Sequence, residues 1–182
     1  MSSGVRRGYV LAGGLSTRMG QDKAQMRVGG VAMAAVVADV LTEAGLEVWI
    51  VRRHDSPSGA FIGATGRVYP VCIEDNDHAR HALWGIVTAL EHARGGSVLV
   101  LPCDVPDLTG SDVQALLAAV APAVVSDGER VHGLCAVVRA GELKRAREIA
   151  VGGGSVRSFV AGFTRVIVDG ERLRNVNGPG DL

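Results

Sequence analysis

The residues of this chain best suited to chemistry lie in two places. The first is a loop near the start, Gly13-Gly14-Leu15-Ser16-Thr17-Arg18-Met19-Gly20-Gln21-Asp22-Lys23. Adjacent glycines lack Cβ, so the backbone can turn at positive φ and a ligand can approach it closely. Consecutive amides in such a turn make a concave anion site. Arg18 and Lys23 on the same loop add the positive charge that a polyphosphate requires. The second place is Pro102-Cys103-Asp104-Val105-Pro106, where two prolines stiffen the turn around one carboxylate. Such a carboxylate suits Mg²⁺, which takes few protein oxygens and completes its shell with phosphates and water. Plainer alternatives exist for both. The loop can be a strand-to-helix turn with surface charges, and Asp104 can be a helix cap, although Thr109 and Ser111 stand closer to the helix start.

Other chemistries fit less well. A P-loop needs Gly-Lys-Ser/Thr, but Gly20 is followed by Gln21-Asp22-Lys23. The second glycine of a dinucleotide fingerprint is missing at Leu15. Cys72, Cys103 and Cys135 are widely spaced and read as reduced thiols. The five histidines form no zinc set, and no general base is assigned.

The elements that position these residues follow from the apolar pattern. Tyr9–Ala12, Leu46–Val51, Val68–Ile73 and Ser97–Leu101 read as strands, the last as a continuous buried run. Val31–Ala44, Ala82–Ala93 and Thr109–Val120 read as helices, with a polar loop over 52–67. Strands at Ala123–Val125, Gly133–Val138 and Arg165–Val168 follow, with helices at Glu142–Ala150 and Ser155–Ala161. This alternation predicts an α/β fold with a mostly parallel sheet and helices on both faces. Ligands on such sheets bind beyond the carboxyl ends of the strands. The glycine loop, Asp75 and Asp104 all follow strands at that end. The carboxylates of Glu74-Asp75-Asn76-Asp77 can equally form a solvated turn.

The 182 residues suffice for one domain, read as 1–182. With 47% hydrophobic and 4% aromatic residues, the core must be built from aliphatic side chains. Nineteen basic residues balance nineteen acidic ones, which argues against a nucleic-acid-binding face. No apolar run is long enough to span a bilayer, and no apolar leader precedes the first strand. The expectation is a soluble, cytoplasmic protein.

The segment Leu11-Ala12-Gly13-Gly14-x-Ser16-x-Arg18-Met19-Gly20-x-Asp22-Lys23 resembles the signature loop of MobA-like nucleotidyltransferases, and in particular the molybdenum cofactor guanylyltransferases. Leu101–Pro106 resembles the family's metal-binding Asp motif. Gly133-Leu134-Cys135-Ala136 resembles a segment that usually reads Pro-Leu-Cys-Ala, and Gly154–Phe159 a following Ser-x-Arg helix. Asn175-Val176-Asn177-Gly178-Pro179-Gly180-Asp181-Leu182 resembles the terminal Asn-x-Asn-Thr-Pro-x-Asp-Leu. The likeness thus runs from Tyr9 to Leu182. There are departures: His81-Ala82 replaces a Gly-Pro pair before Leu83 and Gly85, Arg52 stands where an Asn is usual, and Gly133 and Gly178 replace Pro and Thr.

The resemblance implies a three-layer α/β/α, Rossmann-like domain that transfers GMP from GTP to molybdenum–molybdopterin and releases pyrophosphate. It implies Leu11, Ala12, Gly13, Gly14, Lys23, Asp75 and Asp104 at GTP, Arg18 and Lys23 on the leaving group, and Asp104 on Mg²⁺. Asn175 and Asn177 are candidates for the pterin side, because amides two residues apart share one side of an extended chain. Cofactor-biosynthesis proteins and acceptor molybdoenzymes are the implied partners. Cytidylyl transfer to the same cofactor, a sugar-phosphate nucleotidyltransferase and a non-catalytic nucleotide-binding homologue are the alternatives.

Overall fold

The computed structural model describes residues 4–13, 22–74 and 81–181. In chain order it contains β1 (Arg7–Leu11), β2 (Arg27–Val28), β3 (Val31–Ala32), α1 (Met33–Glu43), β4 (Glu47–Arg53), β5 (Phe61–Ile62), β6 (Val68–Tyr69) and β7 (Val71–Glu74). Then come α2 (Leu83–Ala93), β8 (Val98–Pro102), α3 (Gly110–Ala118), β9 (Ala123–Ser126), β10 (Val131–Val138), α4 (Leu143–Val151), α5 (Val156–Phe159) and β11 (Thr164–Ile167).

Seven strands form the central sheet in the order β11-β9-β10-β8-β1-β4-β7. β8, β1, β4 and β7 run parallel, whereas β10 is antiparallel to both of its neighbours. Both faces are covered, as parallel sheets require. α1 and α3 pack on one face over Val10, Ile50, Leu99 and Leu101. α2 and α4 pack on the other over Tyr9, Val51, Val98 and Val100. The predicted mostly parallel, three-layer α/β architecture is therefore the observed one.

Three boundaries differ from the sequence pattern, each for a local reason. Val31 and Ala32 pair with Arg27 and Val28 across Gly29-Gly30 before α1 begins; both glycines have positive φ. The run Val68–Ile73 is not one strand. Pro70 lacks an N–H and divides it, so β6 pairs with β5 in a separate hairpin and β7 joins the main sheet. The loop 52–67 thus contains a strand, β5. Finally, Thr109 caps α3 reciprocally with Asp112, which leaves Asp104 with no capping duty. Among the described residues no helix is long and apolar enough to cross a membrane.

Candidate active site

The register of the four parallel strands sets the geometry of the site. Leu11 is opposite both Val51 and Pro102, Val51 is opposite Cys72, and Arg53 is opposite Glu74. Two residues on from Leu11, Val51, Cys72 and Pro102, the residues Gly13, Arg53, Glu74 and Asp104 fall in one row along the carboxyl crest. Adjacent strands lie about 4.8 Å apart, so the backbones of Glu74 and Asp104, three strand spacings apart, are separated by roughly 14 Å, and the Glu74 side chain reaches inward along the row toward Gly13. All four residues line one cavity of about 570 Å³, together with Leu11, Ala12 and Lys23.

Lys23 opens a single turn, Lys23–Gln25, that Asp22 caps by accepting the Ala24 N–H at 3.1 Å. Asp22 is itself fixed by Arg52. The guanidinium, only 3% exposed, donates to both Asp22 oxygens at 3.0 and 2.6 Å. It also donates to the carbonyls of Ala12 (3.0 Å) and Pro57 (3.1 Å), and lies 5.5 Å from the Phe61 ring centroid. The arginine that departs from the family pattern is therefore a buried brace between β4 and the Asp22–Lys23 turn.

The brace sets Lys23 against two other side chains. Its ammonium donates to Asn177 Oδ1 at 2.7 Å and lies 3.8 Å from Asp104 Oδ2. The N–H of buried Val176 donates to the Asp104 carbonyl at 2.9 Å, and this bond draws the C-terminal segment across the crest. Asn175, on the other side of Val176, lines the cavity. Residues 174–178 form no strand, yet burial of Val176 leaves both amides on its opposite side. Burial pushes the Asp104 carboxyl above the usual range, and the Lys23 ammonium opposes that shift.

The opposite end of the row is walled by Glu74, 7% exposed. A Cβ on Gly13 would lie 2.9 Å from Glu74 Oε1, and one on Gly85 of α2 would lie 3.5 Å from that oxygen and 3.1 Å from Leu11 Cδ2. Gly13 admits the carboxylate because it lacks a Cβ, and Gly85 gives the same room to Leu11. Burial raises the Glu74 carboxyl above its ordinary value, against the lowering field of Arg53.

β10 closes the acceptor side of the cavity with His132, Gly133 and Leu134. His132 Nε2 pairs with Asp127 Oδ2 at 3.0 Å. The Arg130 amide, together with the His132 ring, holds the Asp127 carboxyl down at about 2. Gly133, which replaces the family's proline, packs beneath α5; a Cβ there would lie 2.6 Å from Val156 Cγ1. His81 fills the place of the lost Gly-Pro pair. Its Nδ1 accepts the Leu83 N–H at 3.2 Å and its Nε2 donates to the Gly154 carbonyl at 2.5 Å. The ring thereby caps the start of α2 and ties it to the Gly152–Gly154 turn. Two cysteines reach the cavity, but burial pushes the Cys103 thiol up to about 12 and raises Cys135 as well. Neither is a thiolate nucleophile.

No cluster of three or more metal-ligating side chains occurs among the described residues. Beside Lys23 the donor set among the described residues is one cavity-facing carboxylate, Asp104, with Glu74 at the opposite end of the row. That fits Mg²⁺ held mainly by substrate phosphates and water, and does not fit a closed structural zinc site.

A family model, the MobA-like NTP transferase domain, matches residues 8–166. The chain belongs to the MobA-like NTP transferase family. Among its relatives, a molybdenum cofactor guanylyltransferase of Serratia proteamaculans is 28% identical over 179 residues, covering 93% of this chain and 88% of that protein. A probable molybdenum cofactor guanylyltransferase of Opitutus terrae is 33% identical over 166 residues, covering 87% and 79%. The crystal structure of an Aquifex aeolicus protein superposes with a TM-score of 0.73 at 26% identity, covering 98% of this chain and 96% of that one.

In this MobA-like domain the structure brings Leu11, Ala12, Gly13, Lys23, Asp104 and Asn175 to one cavity, with Asn177 bonded to Lys23. Gly14, Arg18 and Asp75 lie outside the described residues. Sequence reasoning did not select Glu74, Arg53, His81 or His132. Asp127-x₄-His132 carried a readable hint, a carboxylate and an imidazole on one hairpin.

Proposed function

We propose that this protein transfers GMP from GTP to molybdenum–molybdopterin, giving the guanine dinucleotide cofactor and pyrophosphate. The observation that carries this reading is the meeting of Lys23, Asp104 and Asn177 beside the glycine floor of the sheet crest. The names of the family's relatives supply the substrates.

In the reaction, a terminal phosphate oxygen of the pterin attacks the α-phosphorus of GTP. The new P–O bond forms as the bond to the bridging oxygen breaks, and that electron pair leaves with pyrophosphate. The attacking oxygen is already ionised, so positioning and charge neutralisation supply the catalysis without a general base. The backbone of Leu11, Ala12, Gly13 and Gly14, with Asp75, holds the nucleotide. Lys23 and Arg18 neutralise the departing pyrophosphate. Asp104 holds Mg²⁺, which when bound contributes positive charge at the phosphates. Asn177 orients the Lys23 ammonium, and Asn175 faces the acceptor. The product then passes to acceptor molybdoenzymes in the cytoplasm.

The test is calorimetric titration with GTP, CTP, ATP and UTP, each with Mg²⁺, followed by a GMP-transfer assay. Selective GTP binding is expected, weakened in Lys23→Ala and Asp104→Asn. A preference for CTP would reassign the chain to cytidylyl transfer. GTP bound equally well by both variants would remove Lys23 and Asp104 from the site.

A further inference from the structure

Glu74 is a costly residue that the reaction above does not use. Its side chain is 93% buried by the exposure already given, and a buried carboxylate is tolerated only where something compensates it. No hydrogen bond to it is found among the described residues. Arg53 lies beside it, but the Arg53 guanidinium is turned to Asp55, with Nε donating to Oδ1 at 2.9 Å. Glu74 also lines the cavity.

The surroundings of Glu74 favour a flat ligand. Gly13 and Gly85 present no side chain on either side of Oε1, and Leu11 offers an apolar surface next to Gly85. The cavity in front of this carboxylate, bordered by Gly13, Gly85 and Leu11, leaves its acceptor oxygens free to meet the edge of an aromatic ring. A phosphate is excluded from that end by like charge, and the cation that attracts phosphate, Lys23, stands across the row beside Asp104.

We infer that Glu74 is a base-selecting residue whose carboxylate accepts the two adjacent donors of a guanine edge, N1–H and the 2-amino group. The inference rests on the nucleotide reading above and adds the residue that enforces it. Among the bases, guanine alone sets two N–H donors side by side on its pairing edge, matching the two oxygens of a carboxylate. Adenine presents the N1 lone pair at that place, so the same carboxylate repels it, and selectivity arises from rejection as well as attraction. Glu74 therefore belongs to binding and specificity rather than to the bond-making step.

The experiment is calorimetry of the full chain with GTP, ITP and ATP in Mg²⁺, using wild type, Glu74→Gln and Glu74→Ala. ITP lacks only the 2-amino group. Loss of one hydrogen bond to a charged group corresponds to about 10- to 100-fold in affinity, so wild type should prefer GTP to ITP by that order. In Glu74→Ala the preference should fall to about twofold or less, and ITP affinity should itself fall, because the N1–H of ITP loses the same carboxylate. Glu74→Gln should also gain affinity for ATP, because its amide can donate to adenine N1. The wild-type GTP/ITP ratio needs no variant, so a folding defect cannot mask the answer. Equal affinity of wild type for GTP and ITP overturns the inference. So does a uniform loss for all three nucleotides in the variants with selectivity kept, since that marks a merely structural carboxylate. If wild type binds no nucleoside triphosphate, the nucleotide reading falls and this inference with it.

Discussion

Asp22 and Lys23 are consecutive, and the protein compensates their charges in opposite ways. Asp22 sits in a closed set of hydrogen bonds, both of its oxygens taken by Arg52 and one shared with the Ala24 amide. The Arg52 Nη groups also donate to two main-chain carbonyls. One residue later, the Lys23 ammonium stands 3.8 Å from Asp104, beyond direct hydrogen-bond distance, with a cavity in front of it. The first pair locks a turn to the sheet. The second holds two opposite charges close enough to define a site and far enough apart to admit phosphate and metal. A charge whose hydrogen bonds are all internal builds structure, whereas one facing a cavity acts on a ligand.

Three perturbations test this contrast, beginning with the largest effect. Arg52→Met leaves the Asp22 carboxylate buried without its partner, which should cost about 3–5 kcal/mol in urea unfolding. Adding Asp22→Leu to it should restore much of the loss, because the stranded charge is then gone. A fully additive double variant would mean that the two residues do not act as one unit. Lys23→Ala should do the reverse, lowering turnover by about 10²–10³ while the unfolding midpoint moves by no more than about 1 kcal/mol equivalent. Comparable losses of stability from Lys23→Ala and Arg52→Met would erase the distinction between the two pairs.

The smallest effect concerns Glu74 and depends on pH. Burial raises its folded-state carboxyl above the unfolded value, with Arg53 opposing. The folded protein then binds the proton more readily than the unfolded chain, so stability falls as pH rises from about 4.3, the unfolded value, through the raised folded one. Glu74→Gln removes that fall. Thermal melts of wild type and variant should coincide in acid and separate in favour of the variant as pH rises. Curves that stay parallel would show that Glu74 carries no burial penalty.

Much of this was legible in the sequence, and the failures share physical causes. The strand–helix alternation gave the sheet, and Lys23 and Asp104, singled out by type and position, line one cavity. The pairing of Lys23 with Asn177 spans 154 residues of chain, and no local pattern reports a contact so distant in sequence. Arg52 looked like a departure from a family pattern because its partners lie on other segments. Glu74 was hidden by parity. In Val71-Cys72-Ile73-Glu74 the two aliphatic residues suggest the inward face, yet on this strand Val71 and Ile73 are exposed at 39% and 50%, and Glu74 points in. Asp75 next door was singled out instead, by resemblance alone, and it lies outside the described residues. His81 was read as a loss of the Gly-Pro pair, although its ring restores the local order by capping α2.

The shared row of Gly13, Arg53, Glu74 and Asp104 also governs which length changes the gene can accept. Arg53 and Glu74 are the last paired residues of their strands, and Gly13 and Asp104 stand two residues beyond theirs. Deleting one residue within β8 would send the following side chain to the opposite face of the sheet. Deleting two would keep the face but withdraw it by about 6.6 Å along the strand. Insertions and deletions are accordingly expected to be excluded from β1, β4, β7 and β8. In this domain the spacing of the reacting groups is written as strand length.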